Sequence, residues 1–230
     1  MVNPILLAHV YLSLCNTVHL PWLADFSAKK NFKEGSLRHE LHKKAVATLN
    51  SGIDLRQAVK LPEGEDMNEW LAVSAVEFFN RVNLVYGAVC DFCTEESCPM
   101  MRAGPAYEYQ WKDDTSAEYK RPTYVSAPKY ISLLMDWIEQ IISDESKFPS
   151  NPEVPFPKDF QKIIQQMFRR LFRVFAHVYY EHFNQLSEIG AEAHINTCYK
   201  HFYYFATEFN LIPTKELEPL KDLSAALCKK

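Results

Sequence analysis

The stretch from about Asp159 to Glu188 constrains this chain most. Its apolar residues Phe168, Leu171, Phe172, Phe175 and Val178 recur at the three- and four-residue spacing of one helix face. No glycine or proline interrupts it, so the spacing predicts one long helix that other helices must cover. Its centre, "RRLFRVFAHVYYEHF" at 169–183, nevertheless carries Arg169, Arg170, Arg173, His177 and His182. A buried helix holds charge and imidazole only where these groups are paired, hydrogen-bonded or bound to a metal. These five residues are therefore the first functional candidates.

The covering helices are legible too. "EGSLRHELHKKAVATLNSG" sets Leu37, Leu41, Ala45 and Leu49 at helical spacing and stops at Ser51-Gly52. In "LPEGEDMNEW" a Pro-Gly turn places Glu65 and Asp66 where a helix start favours negative charge. The helix it opens is predicted from about Met67 to Cys90, with Leu71, Ala75, Phe78, Phe79, Val82, Val85 and Tyr86 on its core face. "SAPKYISLLMDWIEQIISDE" is a helix capped near Ser126 with Pro128 in its first turn. The Pro-rich "FPSNPEVPFPKD" is a rigid connector, and "AEAHINTCYKHFYYFATEFN" and "PTKELEPLKDLSAAL" supply two more helices. "PAYEYQW" and "YKRPTYV" alternate aromatic and polar residues around "KDDTSAE", which predicts a short β-hairpin. The expected class is all-α, a bundle with a four-helix core and one small hairpin.

A length of 230 residues and 47% hydrophobic content suit one large domain, taken as 29–230. Residues 1–28 stand apart as a divergent apolar extension, or a mistaken start of translation. They lack the leading Lys or Arg of a secretory signal, and His9, Asn16, His19 and Pro21 break them up too much for a membrane span. Membrane association is expected only indirectly. A net charge of −4 gives no general reason for a nucleic-acid partner, so any anion site must be local.

Of six cysteines, three fall between 90 and 98, a poor disulfide framework that fits reduced thiols with a metal among them. "CTEESC" gives Cys93-x4-Cys98 and "HVYYEH" gives His177-x4-His182. Two thiolates and two imidazoles make a common tetrahedral zinc set. On a straight helix five residues separate the two rings by about 140°, so the helix must loosen or end near His182, or long rotamers must converge. Cys90-x2-Cys93 is a rival chelate, and His194, Cys198 and His201 form another set; ordinary core histidines remain the alternative to both. Four protein ligands would leave no position for water or substrate, which makes the site structural and argues against a zinc hydrolase.

Arg169 or Arg170 lies beside Arg173 on one helix face, with Lys162 upstream. Like charges this close call for carboxylates or an anion, and arginine suits a phosphate gripped at two oxygens. A solvated face paired with acidic residues explains them equally. On the helix after the Pro-Gly turn, Glu65, Glu69 and Glu77 share the arc opposite the core with Trp70, Val73 and Val76. An indole rimmed by carboxylates suits a basic amphipathic helix as partner; otherwise Trp70 packs under the amino-terminal segment.

Taken together, "LPEGEDMNEWLAV", "FFNRVNLVYG", "FCTEESCPMMRAGPAYEYQW", "SAPKYISLLMDWI", "PFPKDF", "RRLFRVFAHVYYEHF", "EAHINTCYKHFYYF" and "EFNLI" resemble the Mob (Mps one binder)/phocein family of kinase coactivators and adaptors. The resemblance covers about Lys29 to Leu223. It implies a structural zinc on Cys93, Cys98, His177 and His182, with Cys90 a bystander. It implies a phosphopeptide pocket at Arg169, Arg170 and Arg173, the first an Arg where the family usually has Lys, for phosphorylated segments of Ste20/Hippo-type kinases. Glu65, Glu69, Trp70 and Glu77 fall on the family's surface for basic helices of NDR/Lats-type kinases, with Glu77 where Asp is common. Thr48 matches a threonine that upstream kinases phosphorylate in the activator branch. The implied protein is not an enzyme but a coactivator or, alternatively, a phocein-like scaffold in kinase and phosphatase assemblies that activates no kinase. Its expected location is the cytoplasm, with the nucleus as an additional compartment. The first two dozen residues do not resemble the family's basic, phosphorylatable start.

Overall fold

Asp66 opens the central helix of the bundle: its side chain accepts from the backbone N–H groups of Asn68 (2.8 Å) and Glu69 (3.1 Å), satisfying two of the helix's orphan donors. In this computed structural model, which describes residues 54–151 and 153–228, the elements run as follows. A single turn α1 (Leu55–Ala58) precedes the central helix α2 (Met67–Gly87). Two short strands, β1 (Arg102–Ala103) and β2 (Tyr107–Glu108), come before α3 (Ala127–Ser143) and α4 (Phe160–Glu181). Then follow α5 (Phe183–Glu188), α6 (Glu192–Glu208), a 3-10 helix (Thr214–Leu220) and α7 (Lys221–Leu227). The apolar extension 1–28, the helix expected around Leu37–Leu49 and Thr48 lie outside the described residues.

The all-α expectation holds, with α2, α3, α4 and α6 as the four-helix core. Aromatic rings join three of them: Phe168 of α4 stacks on Phe202 and Phe205 of α6 at 5.2 and 5.5 Å, and Phe78 of α2 meets Phe168 edge-on at 5.5 Å. On α3 the buried Tyr130, Ile131, Leu134, Met135 and Ile138 complete the core, and Ser126 caps the helix by accepting from the Lys129 N–H.

Four expectations need correction. Helix α2 ends at Gly87 rather than Cys90, because the chain turns there: Val89 bonds back to Tyr86, and Cys93 to Val89. The two-stranded sheet forms earlier than expected, Arg102 opposite Glu108 and Ala103 opposite Tyr107, turning at Gly104 with φ +61°. Of the expected pairing across "KDDTSAE" there remain a Trp111–Thr123 bridge and a bond from Asp113 N–H to Tyr119 O. The last expected helix is split into a 3-10 turn and α7, since Pro219 has no N–H to continue an α-ladder. The long helix breaks at His182 (φ −131°, ψ 12°), one of the two ways its histidines could converge.

Candidate metal centre and anion pocket

That break brings the four sequence candidates together. Cys93 Sγ lies 3.4 Å from His177 Nε2 and Cys98 Sγ 3.4 Å from His182 Nε2, and all four ligand atoms fall within 4.8 Å of one another, each residue buried. A tetrahedral zinc, about 2.3 Å from sulfur and 2.0 Å from nitrogen, would hold neighbouring S and N about 3.5 Å apart. The donor set and its spacing fit a metal of that kind. Burial lowers the pKa of His177 and, with His177 beside it, pushes His182 down to about 4, so both rings are neutral at neutral pH and offer a lone pair. Burial, followed by the neighbouring Cys98, raises the Cys93 thiol; a dication would reverse that preference by binding the thiolate. Cys90 is not in the cluster, since its thiol turns back to Gly87 O at 3.3 Å. Nor does the set of His194, Cys198 and His201 converge: His201 Nδ1 accepts from Arg81 at 2.6 Å, as a ring whose pKa is pushed down to about 3 by burial and then by Arg81 can.

The hairpin is tied to this centre. His177 Nδ1 donates to Arg102 O at 2.7 Å, which fixes Nε2 as the ligand atom. Glu181, four residues on, accepts from the Gly104 N–H (3.1 Å) and from Arg102 Nη2 (3.2 Å). A Cβ at Gly104 would sit 2.7 Å from Tyr180 Cδ1, and that ring is held by its hydroxyl on Pro219 O at 3.0 Å. Gly104→Ala therefore combines a clash with a left-handed φ. A loss of about 1–3 kcal/mol is expected, seen as a drop of several degrees in the melting temperature. An unchanged melting curve would show that this clasp is not close-packed.

The three arginines line a cavity of about 370 Å³ between α4 and the chain after β2, with Tyr109, Lys112 and Gln166 among its other walls. Arg170 is sandwiched between two indoles, 4.3 Å from Trp111 and 4.2 Å from Trp137, and donates to Lys112 O at 2.7 Å. Burial is the main influence lowering its pKa, with Arg173 and Arg169 adding to it. Arg173 donates to the Tyr130 hydroxyl at 2.8 Å and lies 5.2 Å from the Tyr109 ring. Arg169 pairs with Glu216 at 2.5 Å. Only this last contact fits the picture of a helix face neutralised by carboxylates. Among the described residues, the contacts of the other two cations are with aromatic faces and neutral oxygens, which orient them, and the carboxylate of Glu108 also lines the cavity.

On the acidic face the structure takes the second of the two readings, a packed Trp70, over the surface anchor. Trp70 is 3% exposed, and its indole N–H donates to Val59 O at 3.1 Å, beneath the segment that leads into α2. Val73 and Val76 are buried as well, so the arc opposite the predicted core face is interior too, with Trp70 6.4 Å from Phe205 of α6. The Glu77 side chain is 14% exposed and accepts from Arg81 Nε at 2.6 Å. Trp70 is thus no surface anchor and Glu77 no open charge. Glu65 and Glu69 stay at the partly exposed start of the helix.

Residues 46–220 match the Mob1/phocein family, most of the chain's length. The chain belongs to that family. It is 57% identical to MOB kinase activator 3A of Bos taurus over 203 residues, which cover 88% of this chain and 93% of the relative. With the same coverage it is 58% identical to MOB kinase activator 3B of Mus musculus and 53% to MOB kinase activator 3C of Bos taurus.

For this Mob1/phocein chain, residue spacing left out the groups that hold the arginines of the cavity in place. Trp111, Trp137 and Lys112 lie far from the arginines in sequence, and only tertiary packing brings them together. The one local signal was the aromatic alternation of "YEYQW", which puts Tyr109 and Trp111 on the same side of an extended chain.

Proposed function

We propose that this chain is a non-catalytic adaptor that binds and activates a Ser/Thr kinase. The carrying observation is the cavity in which Arg170 and Arg173 are held in place by rings and neutral oxygens. Its relatives' names as kinase activators supply the class of partner. A phosphorylated segment of a Ste20/Hippo-type kinase occupies the arginine cavity. The basic amino-terminal helix of an NDR/Lats-type kinase lies against Glu65 and Glu69 at the start of α2, with Trp70 buried beneath that turn. Zinc on Cys93, Cys98, His177 and His182 is structural: it ties the loop after α2 to the end of α4, and so fixes the two surfaces relative to each other. Thr48 is a phosphorylation site that tunes access to the kinase surface, and the protein works in the cytoplasm and the nucleus.

Charge reversal by Glu69→Lys is expected to reduce NDR-type kinase retained in a pull-down by roughly tenfold, with zinc content unchanged. Equal retention would remove this surface from the reading. Adding the wild-type protein to the same kinase separates activator from scaffold: faster phosphotransfer supports activation, and an unchanged rate supports a phocein-like scaffold.

A further inference from the structure

Taking the arginine cavity as a phosphate site, the next question is what it refuses. Arg169 reaches from α4 to Glu216 on the 3-10 helix, Nη2 to Oε1 at 2.5 Å, with the two side chains 41% and 29% exposed. The contact engages one edge of the guanidinium incompletely. Nε is screened from solvent and has no acceptor among the described residues, although a carboxylate seated for the two-pronged fork could take Nε and Nη2 together. On the facing wall, Lys112 Nζ pairs with Asp114 at 2.8 Å. Arg170 is committed to two indoles and a backbone carbonyl, and Arg173 to a neutral hydroxyl. The chain's own carboxylates therefore already hold two of the cavity's cations.

We propose that Glu216 is a specificity-determining residue, an internal competitor that makes the cavity select a dianionic phosphoryl group over a carboxylate. An acidic side chain entering the cavity would exchange one carboxylate for another at Arg169, and its single charge could gain only at Arg173. A phosphorylated serine or threonine brings about two charges and three acceptor oxygens, enough to take Arg169 from Glu216 and reach Arg173 at the same time. The competitor is weak enough to be displaced, because half-exposed ion pairs contribute little. Phosphorylated segments bind; their Asp or Glu mimics do not.

The test titrates the full chain with N-acetyl-phosphothreonine N-methylamide and with N-acetyl-glutamate N-methylamide, following the arginine Nε–H resonances by NMR. Glu216→Gln should bind the phosphothreonine probe about fivefold more tightly and should acquire measurable binding of the glutamate probe, so that the ratio between the two falls. Glu218→Gln, on the same 3-10 helix and paired with Lys221, controls for loss of a nearby charge and should leave the ratio unchanged. A Glu216 that only braces its helix would lower the melting temperature of Glu216→Gln without changing the ratio, and that result overturns the proposal. A second readout needs no variant. In the wild-type chain the phosphothreonine probe should shift the Glu216 side-chain carboxyl ¹³C resonance as Arg169 releases it, while the glutamate probe should not. A Glu216 resonance indifferent to a probe that moves Arg173 defeats the proposal and leaves the phosphate site standing. If neither probe moves any of the three arginines, the phosphate site itself is wrong and the proposal falls with it.

Discussion

Cys93→Ser, or exhaustive chelation of the wild-type chain, is expected to unfold most of the domain, with loss of helical circular dichroism at 25 °C. The four ligands come from two places far apart in sequence, the loop after α2 and the end of α4. Structural zinc sites contribute on the order of 10–16 kcal/mol, whereas a whole domain is stable by only about 5–15 kcal/mol. Without the ion, four buried polar groups would lose their common partner while remaining enclosed. Serine at position 93 is a poor ligand, so the variant should also lose metal in elemental analysis, where the wild-type chain should carry one zinc. A metal-free chain that melts like the wild type would reduce the cluster to ordinary packing and remove the constraint that holds the hairpin near α4. Because the ligands are all supplied by protein, chelation is expected to abolish folding and partner binding together rather than a reaction.

Residue spacing served well where chemistry demands a particular set of side chains. Spacing offered two imidazoles and two rival cysteine pairs, Cys93 with Cys98 or Cys90 with Cys93, and the family resemblance chose the first. Helix geometry required only that the helix yield near His182 or that long rotamers converge. The structure meets that need with a backbone break rather than with extended rotamers. Spacing served poorly on α2. A helical wheel assumes one buried face, but this helix is buried on both arcs: Phe78 meets rings of α4 and α6, while Trp70 meets Phe205 of α6 and the Val59 carbonyl just after α1. Trp70, Val73 and Val76 looked like an exposed apolar strip among carboxylates because nothing local distinguishes a second interior from solvent. Only their apolar character argued for it, and the acidic neighbours argued the other way. The hairpin was misplaced for a related reason: strands of two residues are too short for an alternation signal, and their register is set by the turn at Gly104 and by the clasp from Glu181. Arginine roles could not be divided by spacing either, since two indoles from distant segments decide which guanidinium is fixed in the wall.

Arg170→Ala combined with Arg173→Ala is expected to abolish binding of a phosphothreonine peptide, a loss of at least a hundredfold. Hydrogen bonds to charged groups contribute about 1.5–3 kcal/mol each, so removing two should cost about 3–6 kcal/mol of affinity. The two substitutions are not equivalent. Arg170 also fills the space between Trp111 and Trp137 and anchors the Lys112 carbonyl, so its removal should lower the melting temperature by several degrees, from lost cation–π contact and lost packing between the indoles. Arg173 is held by one hydroxyl and lies over a single ring, so Arg173→Ala should weaken binding with less effect on melting. Arg170→Lys refines the comparison: it keeps the charge but loses the planar stack and the fork. If it binds as the wild type does, charge alone governs the cavity; if it binds as poorly as Arg170→Ala, the indole sandwich is what aims the guanidinium. Undiminished affinity in a folded double variant would place the phosphate elsewhere on the molecule. The arginines of the long helix would then be packing groups, their cations held by rings for the sake of the fold alone.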